Sequence, residues 1–95
     1  MKVSWSLPAI QDLEEIQDYI AQKRPASAHR LISRIFTQTD RLLSKNPEIG
    51  RRGRVAGTRE LVITRTRYIV VYRIKAGVEI LSVIHGAREW PDNFP

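Results

Sequence analysis

The sequence lacks cysteine altogether, and this absence excludes both a disulfide framework and a zinc site built on thiolates. Long apolar runs are missing too, since no segment approaches the roughly 20 residues that a transmembrane helix needs. The first residues contain no uninterrupted apolar stretch of the kind that secretory signals carry. We therefore expect residues 1–95 to form a single domain in the cytoplasm, without contact to a membrane.

Sequence motifs that bind a metal or a phosphate, or that position a catalytic nucleophile, are also missing. The two histidines, His29 and His85, have no cysteine near them, and their spacing matches no metal-ligand pattern. The sequence contains neither a glycine-rich phosphate loop nor a nucleophile elbow. The prediction is a protein that uses neither a metal nor a cofactor.

Residues 51–75 contain few acidic residues and many arginines. Residues 51–75 carry eight arginines and lysines against Glu60 alone, a net charge of +7 within a chain whose total is +6. Such a local excess attracts polyanions or an acidic protein partner. The planar fork of arginine matches phosphate and carboxylate geometry in a way that lysine does not. We interpret this segment as a surface that binds a macromolecule.

The N-terminal half predicts a short strand followed by two helices. Residues 2–6 alternate in polarity, which favours a strand, and Ser6 is a suitable N-cap for the first helix. Asp12, with Glu14 and Glu15, is expected near the positive end of that helix. Pro25 ends the first helix, and residues 26–44 form the second.

Each helix has an apolar stripe that we expect to face the core. The stripes consist of Ile10, Leu13, Ile16, Tyr19 and Ile20 on the first helix and Ala28, Leu31, Ile32, Ile35, Phe36, Thr39, Leu42 and Leu43 on the second. The polar face of the second helix retains Arg30, Arg34 and Arg41, for which exposure to solvent is the expectation.

The C-terminal half predicts three strands. Residues 60–64, 68–74 and 78–85 are rich in β-branched side chains, and the connections between them have the length of hairpin loops. The predicted fold class is α+β, in the order β-α-α-β-β-β. The helix hairpin packs on one face of a small, mainly antiparallel sheet, the first strand pairs with an edge of that sheet, and the other face is partly open.

Four stretches follow this order of elements: Asn46-Pro47-Glu48-Ile49-Gly50, Arg59-Glu60-Leu61, Tyr68-Ile69-Val70-Val71-Tyr72-Arg73 and Ile84-His85-Gly86-Ala87-Arg88. Together with the length and the charge, they closely resemble the RelE/ParE toxins of bacterial type II toxin–antitoxin modules. The resemblance covers essentially the whole chain. It implies a compact toxin that a cognate antitoxin protein neutralises, and toxin–antitoxin pairs that form higher-order assemblies.

The resemblance leaves the target open. RelE-like members bind the ribosome and cleave mRNA without a metal, whereas ParE-like members inhibit DNA gyrase and catalyse nothing themselves. A third hypothesis is a member that binds its antitoxin but is no longer toxic. The partner of the toxin besides the antitoxin is therefore either the ribosome with its mRNA or DNA gyrase.

The resemblance also suggests site residues. Arg88 matches the arginine that follows the last strand in RelE-like members, whereas their basic strand positions fall on Glu60, Val62 and Ile69 and their C-terminal tyrosine is absent. Some ribonuclease members use a glutamate as base and a histidine as acid. His85 and Arg88 are therefore the predicted catalytic residues, with Glu60 or Glu48 as the base.

The alternative for His85 is a structural histidine that closes the last strand by a hydrogen bond to the backbone. Contacts to RNA or to another target are predicted for the arginines of the basic segment, namely Arg52, Arg54, Arg59, Arg65, Arg67 and Arg73.

Overall fold

The computed structural model describes residues 1–94 and contains two helices and five strands. The elements are β1 (Val3–Trp5), α1 (Leu7–Ala21), α2 (Pro25–Lys45), β2 (Arg51–Arg52), β3 (Arg59–Val62), β4 (Tyr68–Ile74) and β5 (Val78–His85). The strands form one sheet in the order β1-β5-β4-β3-β2. Only the β1–β5 pair is parallel; the other three pairs are antiparallel.

The predicted α+β fold is confirmed, including the pairing of the first strand with a sheet edge. The two-residue strand β2 was not predicted. Arg51 and Arg52 pair with Glu60 and Arg59 at the edge of β3, and a run of exposed charged residues has no apolar alternation that would reveal a strand.

Helix α1 starts at Ser6, as predicted, and is tied to β5 by polar contacts. The Ser6 hydroxyl accepts a hydrogen bond from the Ala9 N–H at 3.3 Å. The expected role of Asp12 near the positive helix end is wrong, because the first turn contains no acidic residue. The Asp12 carboxylate instead accepts hydrogen bonds from the Ser82 hydroxyl at 2.6 Å and from the Val83 N–H at 2.9 Å.

The core lies between the two helices and one face of the sheet. Its buried side chains come from both helices, from β3, β4 and β5 and from Ile63 directly after β3, and they are Ala9, Leu13, Ile35, Leu43, Leu61, Ile63, Val70, Tyr72, Val78, Ile80 and Val83. The predicted stripes are wrong for Ile10, Tyr19 and Phe36, which are exposed. On α1 the buried face runs through Ala9 and Leu13, so Ile10 and Tyr19 fall beside it.

The second face of the sheet is covered at its centre and open at its edge. Ile69, Val71 and Ile84 are buried there, whereas Val62 on β3 is exposed. The C-terminal segment is tied to the β2–β3 connection, because the Arg54 guanidinium lies 3.9 Å from the centre of the Trp90 ring. The face is therefore partly open, as expected.

The segment between α2 and β2 is held by a buried hydroxyl. The Tyr72 hydroxyl donates to the Pro47 carbonyl at 2.7 Å and accepts from the Gly50 N–H at 2.9 Å. Burial raises the pKa of Tyr72 above the ordinary tyrosine value, so the hydroxyl keeps the proton that it donates.

Neither of the two helices in residues 1–94 has the length and apolar character of a membrane-spanning segment.

Candidate functional site

A surface cleft lies where β5 ends, between that strand, β4 and α1. Its volume is about 330 Å³, and its lining comes from α1, from the paired ends of β4 and β5 and from the turn that follows. The lining residues are Asp12, Glu15, Ile16, Tyr19, Tyr68, Val83, His85 and Arg88. Both predicted catalytic residues, His85 and Arg88, therefore reach the same cleft.

His85 is the last residue of β5, and the turn after the strand folds back on it. The Ala87 N–H donates to His85 Nδ1 at 3.1 Å, and the Arg88 N–H donates to the His85 carbonyl at 3.0 Å. Nδ1 thus acts as an acceptor toward the turn, and Nε2 is the ring nitrogen left for any other contact. The backbone contact that the structural alternative for His85 requires is thus present.

Two tyrosines form the apolar wall of the cleft. Tyr68 is paired with His85 across the β4–β5 ladder, and the two rings meet edge to face with their centres 5.4 Å apart. Burial, and secondarily the nearby Tyr19, raises the pKa of Tyr68, which keeps its hydroxyl neutral. Tyr19 is 75% exposed and offers most of its ring to a binding partner.

Arg88 follows β5 in an exposed turn. Its side chain lines the cleft on one side and contributes to a second depression with Glu89, Trp90 and Pro91 on the other. Arg88 is exposed, and none of the ion pairs within residues 1–94 involves it. An exposed arginine beside aromatic rings can bind an anionic group of a nucleic acid or of a protein.

Glu60 explains the arrangement of the arginines around β2. Its carboxylate is 1% exposed, and Arg51 contacts it at 3.0 Å while Arg54 lies at 3.7 Å. The Arg54 backbone N–H also donates to it at 2.7 Å. A buried carboxylate is stable only with such compensation, so Glu60 binds part of the positive charge that was predicted to bind a target.

Two further arginines of the predicted surface have partners within the chain. Arg59 donates to the carbonyls of Glu48 and Gly50, at 3.2 and 2.9 Å, and so helps to hold the α2–β2 connection. Arg73 forms an ion pair with Glu79 across the β4–β5 ladder at 2.8 Å. Both side chains thus have structural contacts.

The remaining arginines, Arg52, Arg65 and Arg67, are exposed, and none of the ion pairs in the described chain includes them. Arg65 and Arg67 lie in the β3–β4 turn, whose Arg67 carbonyl accepts from the Gly86 N–H at 2.7 Å beside the cleft. Arg52 lies at the opposite end of β3, roughly 13 Å away along this four-residue strand. The arginines therefore form two groups, one at each end of β3.

Neither glutamate that was expected to assist His85 lines the cleft. Glu60 is buried in its arginine pair, and Glu48 lies in the connection after α2, where Arg59 contacts its carbonyl. Glu15 of α1 is the exposed carboxylate on the cleft wall. Residues 1–94 contain no group of three or more His, Asp or Glu side chains that could hold a metal ion.

Sequence reasoning missed Glu15, and it assigned Tyr19 to the core. Both residues reach the cleft because α1 crosses the end of β5, a contact between parts of the chain about 70 residues apart. The sequence offered one local indication that Tyr19 is exposed. A tyrosine has an apolar ring with a polar hydroxyl, and this combination suits the margin of an apolar stripe.

The sequence profile described as ParE toxin of type II toxin-antitoxin system, parDE, matches residues 3–90 of the chain. The chain belongs to the ParE toxin family. This toxin is 43% identical over 90 residues to the candidate toxin Y4kP of Sinorhizobium fredii, an alignment that covers 95% of this chain and 93% of that protein. It is 39% identical over 88 residues to toxin RelE2 of Caulobacter vibrioides, covering 92% of this toxin and 97% of the relative.

The fold of the toxin agrees with its family. A structure of the chromosomal ParDE TA system from P. aeruginosa superimposes with a TM-score of 0.81 at 27% identity, covering 90% of this toxin and 95% of that chain. The predicted membership of the RelE/ParE superfamily of type II toxins is thereby confirmed.

Proposed function

We propose that this toxin arrests growth by inhibiting DNA gyrase, without catalysing a reaction itself, as the ParE-like members of the superfamily do. The hydrogen bond from the Ala87 N–H to His85 Nδ1 is the observation that carries this proposal. It ties the His85 ring to the turn after β5, a contact that supports a structural role for this histidine.

Metal-independent RNA cleavage requires a base for the 2′-OH and an acid for the leaving oxygen. The Nδ1 of His85, the acid considered for this chemistry, contacts the Ala87 N–H and is therefore not directed at a substrate. Glu60, one of the two bases considered for this chemistry, is held by two arginines away from the cleft. These contacts favour a binding surface over an acid–base site.

The test combines two assays on the purified full chain. A gyrase assay would measure supercoiling and covalent gyrase–DNA complexes, and primer extension on mRNA in a translating extract would detect cleavage. We expect inhibited supercoiling or accumulated gyrase–DNA complexes, together with intact mRNA. Cuts within translated codons, with gyrase unaffected, would overturn the proposal.

His85→Asn is the sharpest variant for this question. The asparagine side-chain oxygen replaces Nδ1 as acceptor for the Ala87 N–H, whereas the imidazole and its Nε2 are lost. We expect this variant to retain growth arrest within about twofold of the parent, since a general acid would contribute about 10²–10⁴-fold. Colony counts after induction measure the effect, and a loss of arrest by the soluble variant would contradict a purely structural histidine.

Ribosome-dependent mRNA cleavage is the second candidate. The shared cleft favours it, because His85, Arg88 and the Glu15 carboxylate line the same space and Tyr19 and Tyr68 could stack on a base. In that case His85→Asn and Glu15→Gln would each lower the rate of mRNA cleavage by at least tenfold.

A cognate antitoxin is the proposed protein partner. The structurally similar protein comes from a chromosomal ParDE TA system, and the exposed Arg52, Arg65 and Arg67 would attract an acidic antitoxin segment. Arg54 is unsuitable for a test of this attraction, because a carboxylate at that position would lie beside buried Glu60.

Reversing the three exposed charges should weaken antitoxin binding. We expect Arg52→Glu, Arg65→Glu and Arg67→Glu together to lower the affinity for the antitoxin at least tenfold at low salt, mainly through slower association. Isothermal titration at two salt concentrations measures the loss. The matched control changes the exposed Lys2, Lys23 and Lys75 to glutamate, and equal losses in both triple variants would refute a role for these particular arginines.

A further inference from the structure

The outer face of α2 carries a second basic surface, separate from the cleft. It consists of Arg30, Ser33, Arg34, Thr37 and Arg41, here called the arginine stripe, and all five residues are exposed. Helical geometry places the three arginines within about 40° of one another around the axis of α2. Together they line a shallow groove of about 460 Å³.

The charge of the arginine stripe is not neutralised by its surroundings. None of the three ion pairs found in residues 1–94 includes a residue of α2. The nearest acid in sequence, Asp40, is turned about 100° away from Arg41 around the helix. Arg30 contacts the Ser27 hydroxyl at 3.3 Å, a contact that leaves the guanidinium charged and exposed.

The composition of the stripe identifies the chemistry of its partner. It contains no aliphatic or aromatic side chain, so it lacks the apolar core around which protein interfaces are built, and arginine is its one residue type that such interfaces favour. Arginine forks with hydroxyls between them are the donors that contact phosphate oxygens of duplex DNA. The groove along the stripe has one aromatic side chain, His29, and no phenylalanine, tyrosine or tryptophan, so it offers little aromatic surface for stacking unpaired bases.

We propose that the arginine stripe of α2 binds the phosphate backbone of double-stranded DNA. From Arg30 to Arg41 the stripe extends about 16 Å along the helix, which equals the axial rise of about five phosphates on one strand. The binding is independent of base sequence, because phosphate contacts carry none of that information directly.

The basic surface continues from the stripe onto the sheet. Gln38 borders the groove, and its side-chain oxygen accepts from the Thr64 hydroxyl at 3.3 Å. Arg65 follows Thr64 with φ at 65°, a left-handed conformation that non-glycine residues rarely adopt, and its side chain is exposed. A DNA duplex on the stripe thus meets additional positive charge at the β3–β4 turn.

The test measures the affinity of the full chain for a labelled 25-base-pair duplex of arbitrary sequence by fluorescence anisotropy between 50 and 200 mM salt. In the triple variant Arg30→Ala, Arg34→Ala and Arg41→Ala, the slope of log affinity against log salt should fall by about 2–3. The affinity at 50 mM salt should fall at least tenfold. Alanine is a strong helix former, and circular dichroism checks that α2 is intact in this variant. If helix is lost, the triple variant with glutamine at the same three positions takes its place.

The matched control removes the same net charge by changing Lys2, Lys23 and Lys75 to alanine, and it should change the slope by less than about 1. Equal effects in the two triples would overturn the assignment to the stripe, as would undetectable DNA binding by the parent chain. Tighter stripe-dependent binding to an RNA duplex of the same sequence, or to poly-glutamate, would assign the surface to RNA or to an acidic protein instead. Gyrase inhibition tests the proposed function separately, so either proposal can fail alone.

Discussion

Arg88→Ala is expected to abolish growth arrest while changing the free energy of unfolding by no more than about 0.5 kcal/mol. The side chain is exposed beyond the last strand and forms no ion pair within residues 1–94, so folding does not depend on it. It lines the cleft beside His85 and Tyr19, where its guanidinium group would bind an anionic group of either candidate target. Viable counts after induction, with soluble protein measured in parallel, give the result.

Two matched variants sharpen the experiment on Arg88. Arg24→Ala removes the same charge from an exposed position outside the cleft and should leave growth arrest intact. Arg88→Lys keeps the charge but loses the planar fork, so a loss of arrest in this variant would identify bidentate binding. Undiminished growth arrest by a soluble Arg88→Ala protein would show that the cleft does not contact the target.

Gly50→Ala is expected to lower the free energy of unfolding by about 3 kcal/mol. A Cβ at this position would lie 2.5 Å from the Tyr72 hydroxyl and 2.8 Å from the Glu60 carbonyl. The tyrosine is fully buried and the carbonyl belongs to β3, so neither can move without disturbing the core. The same methyl group would break the hydrogen bond from the Gly50 N–H to Tyr72.

Urea unfolding of two other glycine variants provides the comparison. At Gly86 an added Cβ would meet the Arg67 carbonyl at 3.4 Å, an ordinary contact, and Gly86→Ala should change stability by less than about 1 kcal/mol. At Gly57 the space is open but φ is +78°, so Gly57→Ala should cost about 1 kcal/mol through backbone strain alone. Equal stabilities of the Gly50 and Gly86 variants would refute the packing explanation.

Much of the fold was predictable because it follows from local patterns. The β-branched runs at residues 68–74 and 78–85 predicted β4 and β5 with their observed bounds, and Ser6 predicted the start of α1. The faces of the helices were less predictable. Tyr19 and Phe36 satisfy the helical spacing of the core stripes, yet both are exposed, because the buried faces run through Ala9 and Leu13 on α1 and through Ile35, Thr39 and Leu43 on α2.

Where the predicted site residues lie could be anticipated from chain order for His85 and Arg88, but not from charge for the arginines. His85 and Arg88 follow β5 directly and therefore reach one cleft, as their closeness in sequence suggested. Formal charge did not reveal that Glu60 binds Arg51 and Arg54, because burial of that carboxylate depends on strand pairing. The division of the arginines into two groups likewise follows from the length of β3.

The sequence by itself determined that this is an α+β toxin of the RelE/ParE superfamily, since the order of its elements, the charge of residues 51–75 and the Ile84–Arg88 stretch are properties of the chain. Only the tertiary structure decided which arginines remain exposed, that Asp12 binds β5, and that the Ala87 N–H occupies His85 Nδ1. Composition and periodicity specify which residues can be buried or charged. Hydrogen-bond partners depend on contacts between distant segments, and these exist only once the sheet has formed.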